Sequence, residues 1–186
     1  MKREQLEHVL RAASRIVGVQ DLLVVGSAAI LGTYDDEDLP AAATRSDEAD
    51  LAPFDDPDGG LSMAIEGSLG AGSAFHQQFG YFADGVDVST AIVPSGWRDR
   101  LVLYETAGSE PGRGWCLEPH DLAVSKLVAG REKDFDFVGA LGDAGLIDLE
   151  VVRARLADVP RDRALPAFLA KAERWLRERA TSRQMP

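Results

Sequence analysis

Apolar residues recur at helical spacing near the start of the chain. Leu6, Val9, Leu10, Ala13, Ile16 and Val17 fall on one face of a helix predicted over 3–17, and Gly18 ends it. The pattern then changes period. Asp21-Leu22-Leu23-Val24-Val25 is a short apolar run of the kind buried on both faces of a sheet, and Gly26-Ser27 turns it into a short helix from Ala28 to about Gly32. A second strand is predicted over 48–52. Because side chains alternate along a strand, Ala49 and Leu51 face a core while Glu48 and Asp50 point together to the other side.

Asp55 to Gly60 is a turn-rich loop, and Asp58 is the expected cap of a helix over about 60–69. Beyond a glycine-rich stretch, strands are predicted at 81–83 and 86–93, joined by Asp84-Gly85 as a two-residue hairpin. On the second of these, Val86, Val88, Thr90 and Ile92 share one face and Asp87, Ser89 and Ala91 the other. Short strands follow at 101–104 and 115–117. From Pro119 the pattern is helical. Lys126 falls on the stripe of Leu122 and Ala123, with Gly130, Lys133 and Asp134 below it if the helix continues. Asp148 caps a helix over 149–157, and a final helix over about 163–180 presents Leu165, Phe168, Leu169, Ala172 and Leu176, followed by a frayed tail over 181–186. The fold class is α/β (α+β), a small mixed sheet flanked by helices. Residues 1–118 form the core, and 119–186 form a helical portion packed on it as one compact unit.

Composition narrows the possibilities. The 186 residues are 45% hydrophobic, enough for a substantial core. No apolar run approaches the roughly 20 residues of a membrane span, and the charged N-terminal helix does not read as a signal peptide. The expectation is a cytoplasmic protein with no membrane partner. Cys116 is the single cysteine, which excludes an internal disulfide framework or a cysteine-based zinc site. The formal charge of −11, from 31 acidic and 20 basic residues, excludes a fold-wide basic surface for nucleic acid but leaves room for a local patch.

Candidate chemistry centres on Glu48 and Asp50. Two carboxylates side by side repel, and a divalent cation is the usual reason to keep them so; taken alone, the pair also fits an acidic loop. Gly26-Ser27 adds a close backbone approach, a hydroxyl and a helix start of the kind that holds phosphate, although a plain strand-to-helix turn gives the same letters. Asp87 is the candidate third ligand on a later strand, although a solvent-facing edge position fits the same pattern. Lys126 either snorkels to the surface or reaches a buried anion, and Arg131 and Lys133 add cations beside Asp134. His120 and Asp121 read as helix-start residues, and Cys116 as packing.

This order resembles the nucleotidyltransferase superfamily, carried here by Val25-Gly26-Ser27, Glu48-Ala49-Asp50 and Asp87. Thr44 to Leu51 further resembles the Arg/Thr-x-Asp-x-Asp segment of the AbiEii and MenT group of toxin nucleotidyltransferases. Asp121 to Asp134 resembles their Asp-Leu-x-x-x-Lys-Leu-x-Ala-x-x-x-Arg-x-x-Asp motif. Together the similarities span roughly residues 21–136. The resemblance implies Mg²⁺ held by Glu48, Asp50 and Asp87, with Asp87 as ligand or base, and an NTP whose phosphates meet Gly26, Ser27, Lys126 and Arg131. It leaves Asp134 to orient Lys126 or to bind base or sugar. It also implies transfer of a nucleoside monophosphate to the 3′ end of tRNA, and a cognate antitoxin. The alternatives are a small-molecule or protein hydroxyl as acceptor, and a non-catalytic binding module.

Overall fold

The computed structural model describes residues 1–184, with side chains through Thr181. The N-terminal stripe folds as α1 (Arg3–Val17), which buries Leu6, Val9, Leu10 and Ala13 and stops at left-handed Gly18. Then come β1 (Asp21–Val25), a 3₁₀ helix (Ser27–Gly32), β2 (Glu48–Pro53), α2 (Gly60–Leu69), α3 (Ala74–Phe79) and β3 (Phe82–Gly85). After two short 3₁₀ turns the chain forms β4 (Val102–Tyr104) and β5 (Arg113–Cys116). Four helices complete it: α4 (Pro119–Ala129), α5 (Glu132–Asp143), α6 (Leu149–Ala157) and α7 (Pro166–Gln184).

The five strands form one mixed sheet in the order β3-β2-β1-β5-β4. β1 runs antiparallel to β2 and parallel to β5; β2 runs parallel to β3, and β4 antiparallel to β5. The fold is therefore α/β with a small mixed sheet and a helical C-terminal part. On β2, Ala49 and Leu51 are fully buried while Glu48 and Asp50 are half-buried, as the alternation requires. α1 packs on the apolar face: a Cβ on Gly114 would meet Leu10 Cδ1 at 3.0 Å and Val24 Cγ2 at 3.1 Å.

Several expectations need correction. The predicted hairpin at Asp84-Gly85 does not exist. Both residues belong to β3, and the segment expected as a strand over 86–93 instead holds a 3₁₀ turn, Val88–Thr90. Gly85 serves a different purpose from a turn. A Cβ there would overlap the Ser62 backbone oxygen, so glycine lets α2 lie against the edge strand. Asp58 does not cap α2. Gly59 takes the cap position, and the Asp56 carboxylate accepts from the Leu61 and Ser62 N–H groups at 3.0 and 2.8 Å. The helix carrying Lys126 does not run on either. Gly130 is left-handed at φ 71°, and Arg131 begins a new helix.

α3 lies in the glycine-rich stretch where no helix was expected. α6 begins with its predicted cap, Asp148 accepting from Glu150 N–H at 2.8 Å. α7 starts at Pro166, later than expected. Of its expected apolar face, Ala172 and Leu176 are buried, whereas Leu165 and Phe168 are exposed. α7 continues to Gln184 where a frayed tail was expected; Met185 and Pro186 lie outside the described residues. Among the described residues no helix is long and apolar enough to cross a membrane.

Candidate active site

The site grows from the ends of β1 and β2. β2 enters the sheet at Glu48, and its register sets Asp50 against Val25, the last residue of β1. Gly26 follows with φ 63° and ψ −166°, a conformation open to glycine and costly for other residues. A Cβ at this position would overlap an oxygen of the Asp50 carboxylate. The backbone turn and the carboxylate thus share one small space. Partial burial first, then the Glu48 charge, pushes the Asp50 pKa above its ordinary value, against the pull of Lys126, Arg131 and Lys133.

Ser27 opens the 3₁₀ helix, and its hydroxyl accepts a hydrogen bond from Lys126 Nζ at 2.9 Å. Lys126 is only 7% exposed. It snorkels nowhere; α4 aims it into the site. Its ammonium lies 3.6 Å from Asp134 Oδ1 and over the Phe137 ring at 5.5 Å. Burial lowers its pKa, opposed by Asp134 and Asp50. Asp134, on the first turn of α5, is held by Arg131, whose Nε and terminal nitrogen donate at 2.7 and 3.2 Å. At the start of α5, Arg131 and Asp134 stand three residues apart, a spacing that brings the two side chains together. Lys133, Ser27, Arg45, Glu48 and Asp134 line one cavity of about 200 Å³.

Asp87 does not join this group. It caps the 3₁₀ turn, fully exposed, and accepts from Ser89 N–H at 2.7 Å, a bond that lowers its pKa. The carboxylate that stands beside the pair is Asp84. Parallel pairing puts Asp84 level with Asp50 and Phe82 level with Glu48, so Glu48, Asp50 and Asp84 share one face of the sheet. Partial burial, then Glu66, Asp50 and Glu48, pushes the Asp84 pKa up to about 6. Its Oδ1 is buried with no hydrogen-bond partner among the described residues. In the sequence, Phe82-Ala83-Asp84 has the alanine-aspartate spacing of Glu48-Ala49-Asp50, but only the pairing with β2 sets it beside that pair.

Among the described residues no three His, Cys, Asp or Glu side chains are already gathered as a metal cage. The donor chemistry nonetheless suits a hard divalent cation. All candidate donors are carboxylate oxygens, one of them orphaned among the described residues, and two of the groups have pKa values raised by burial first and by neighbouring carboxylates second. His120 and Asp121 serve structure, as expected. Asp121 is fully buried in ion pairs with Arg100 and Arg155, both at 2.8 Å, and His120 pairs with the cap residue Glu118 at 2.6 Å. Cys116 is fully buried, its thiol pushed up to about 12 by burial.

The chain thus sets a carboxylate pair on a strand beside a glycine-serine turn and a buried lysine, all within a small mixed sheet flanked by helices. The chain belongs to the family described as nucleotidyltransferase of unknown function (DUF6036), whose model matches residues 4–169. No curated protein and no solved structure matches it.

Proposed function

We propose that this protein is a Mg²⁺-dependent nucleotidyltransferase that moves a nucleoside monophosphate from an NTP to an acceptor hydroxyl. The single observation that carries the reading is Asp50, half-buried against Gly26 beside Glu48 and level with Asp84, with no ion pair among the described residues. A fold keeps like charges together at a cost, and such strain concentrates at working sites.

Glu48 and Asp50 would hold the cation, with Asp84 alongside. When bound it supplies the positive charge that in-line displacement at phosphorus needs. The chain's own groups do the rest. Ser27 and the Gly26 turn hold phosphate oxygens, and Lys126, with Arg131 and Lys133, offsets the charge of the leaving pyrophosphate. The acceptor oxygen bonds to the α-phosphorus as the bond to the β-phosphate oxygen breaks, and the Asp84 carboxylate takes the hydroxyl proton. Asp134 orients Lys126 and ties Arg131 to it.

For the acceptor, the resemblance of Thr44–Leu51 and Asp121–Asp134 to the AbiEii and MenT group supports the 3′ end of tRNA, with a toxin role and a cognate antitoxin. Incubation with labelled NTPs, Mg²⁺ and total tRNA tests both levels. Label on tRNA from wild type and none from Asp50→Asn is expected. Label on a small molecule or a protein overturns the tRNA acceptor only; no transfer and no Mg²⁺-dependent NTP binding overturns the enzyme.

A further inference from the structure

α3 is a helix of six residues, Ala-Phe-His-Gln-Gln-Phe, none of them buried. A helix that buries nothing contributes little to a core, yet this one carries three rings. They divide between the two sides of the edge strand β3. Phe75 and Phe79 lie with Tyr81 and with His8 of α1, at centroid distances of 4.7 to 6.0 Å. That side is ordinary packing over the apolar face. His76 goes to the other side, where its ring lies 4.6 Å from that of Phe82 at 41°.

Phe82 is level with Glu48 and two residues before Asp84, so the His76–Phe82 pair stands on the carboxylate face, at the margin of the site. Both rings remain partly open to solvent. The His76 ring is set in place rather than adrift: its Nδ1 accepts from Gly72 N–H at 3.0 Å, and its backbone N–H donates to Ser73 Oγ at 3.1 Å. The charged groups that act on Asp84, two residues along the strand from Phe82, are acidic, Glu66, Asp50 and Glu48, while Arg45 and Lys133 line the cavity beyond Glu48. This margin suits a flat uncharged ring and disfavours phosphate.

The sheet order says which substrate that ring belongs to. β1, with Ser27 and Lys126 beyond its end, lies on one side of β2; β3, with Asp84 and Phe82, lies on the other. In an in-line displacement the leaving group and the attacking oxygen sit on opposite sides of the phosphorus. With the pyrophosphate on the Ser27–Lys126 side, the acceptor enters over β3. We infer that Phe82 and His76 form a stacking platform for the base of a nucleoside acceptor, which holds its hydroxyl toward Asp84. The assignment of sides rests on the proposed transferase reading; the platform itself is read from the rings.

The test uses the full chain and a short single-stranded RNA whose 3′-terminal residue is 2-aminopurine riboside, a base whose fluorescence falls on stacking. Wild type and Phe82→Tyr are expected to quench it, with and without Mg²⁺ and an NTP analogue carrying an uncleavable α–β linkage. Phe82→Leu is expected to lose most of the quench and about tenfold in RNA affinity, within the range of base–aromatic stacking, while binding the NTP analogue as wild type does. His76→Ala, at a partly exposed position, gives a second reading with little risk to folding and is expected to lose part of the quench. An unchanged quench in Phe82→Leu, or no quench by wild type, overturns the platform. Loss of NTP affinity in its place reassigns the rings to the donor base and equally overturns it. Failure of the analogue to bind wild type overturns the transferase reading, whereas the quench without nucleotide still reports on the platform.

Discussion

Asp121 and Asp50 are both carboxylates drawn out of water, and the fold treats them in opposite ways. Asp121 is fully buried and fully answered. Arg100 and Arg155 clasp it, and Glu118, beside it, would be raised by burial but is held down to about 2 by His120 and Arg155. Asp50 is less deeply placed, yet its nearest charged neighbour on the strand is another carboxylate, and the lysine across from it is engaged by Ser27 and Asp134. Asp84, the next group on that face, adjoins Glu66, a further carboxyl. The same chain can evidently neutralise a buried acid with arginines. Where it does not, the proposed cation would supply the positive charge.

The difference can be broken most forcefully at Asp121. Asp121→Asn leaves Arg100 without its carboxylate and Arg155 with Glu118 alone, and is expected to destabilise the protein by about 3–5 kcal/mol in chemical denaturation. Asp50→Asn is expected to do the reverse: stability unchanged or raised, and nucleotidyl transfer reduced by at least ~10²–10³-fold. Steady-state kinetics beside a melting curve checks both. A Gly26→Ala change forces a left-handed backbone on a residue whose Cβ overlaps Asp50, so roughly 1–3 kcal/mol of stability should be lost along with activity.

The smallest expected effect is in pH. Asp84 titrates near 6 when folded, above the ~3.9 of an unfolded aspartate, so across that window the folded state binds more protons. Stability from this group is therefore present at low pH and lost as pH rises from about 4 through 6. Asp84→Asn should remove that slope and raise the melting temperature at pH 8 by a few degrees, read by calorimetry without metal.

Much of this was legible in the chain. Period alone located α1, β1 and β2, and strict alternation on β2 put Glu48 and Asp50 on one side together. Lys126 was legible as an inward lysine, because Leu122 and Ala123 fix the buried stripe of α4. The third carboxylate was not. Asp-Gly is the letter pair of a tight hairpin, and nothing local distinguishes that use from a glycine needed for close approach by α2, as at Gly85. Pairing with β2 is a long-range fact, and it alone selects Asp84 over Asp87. α3 escaped notice because six residues bracketed by glycines show no repeat of a 3.6-residue period. Whether the helix ran past Gly130 stayed open in the sequence; the left-handed glycine ends it, and the Arg131–Asp134 pair is local, three residues apart at the start of α5.

The most direct test is calorimetric titration of an NTP in the presence of Mg²⁺ into wild type, Asp50→Asn, Asp84→Asn and Asp87→Asn. The account predicts Mg²⁺-dependent binding that Asp50→Asn abolishes, Asp84→Asn weakens and Asp87→Asn leaves as it was. Binding indifferent to Asp50→Asn, or lost through Asp87→Asn, would contradict it.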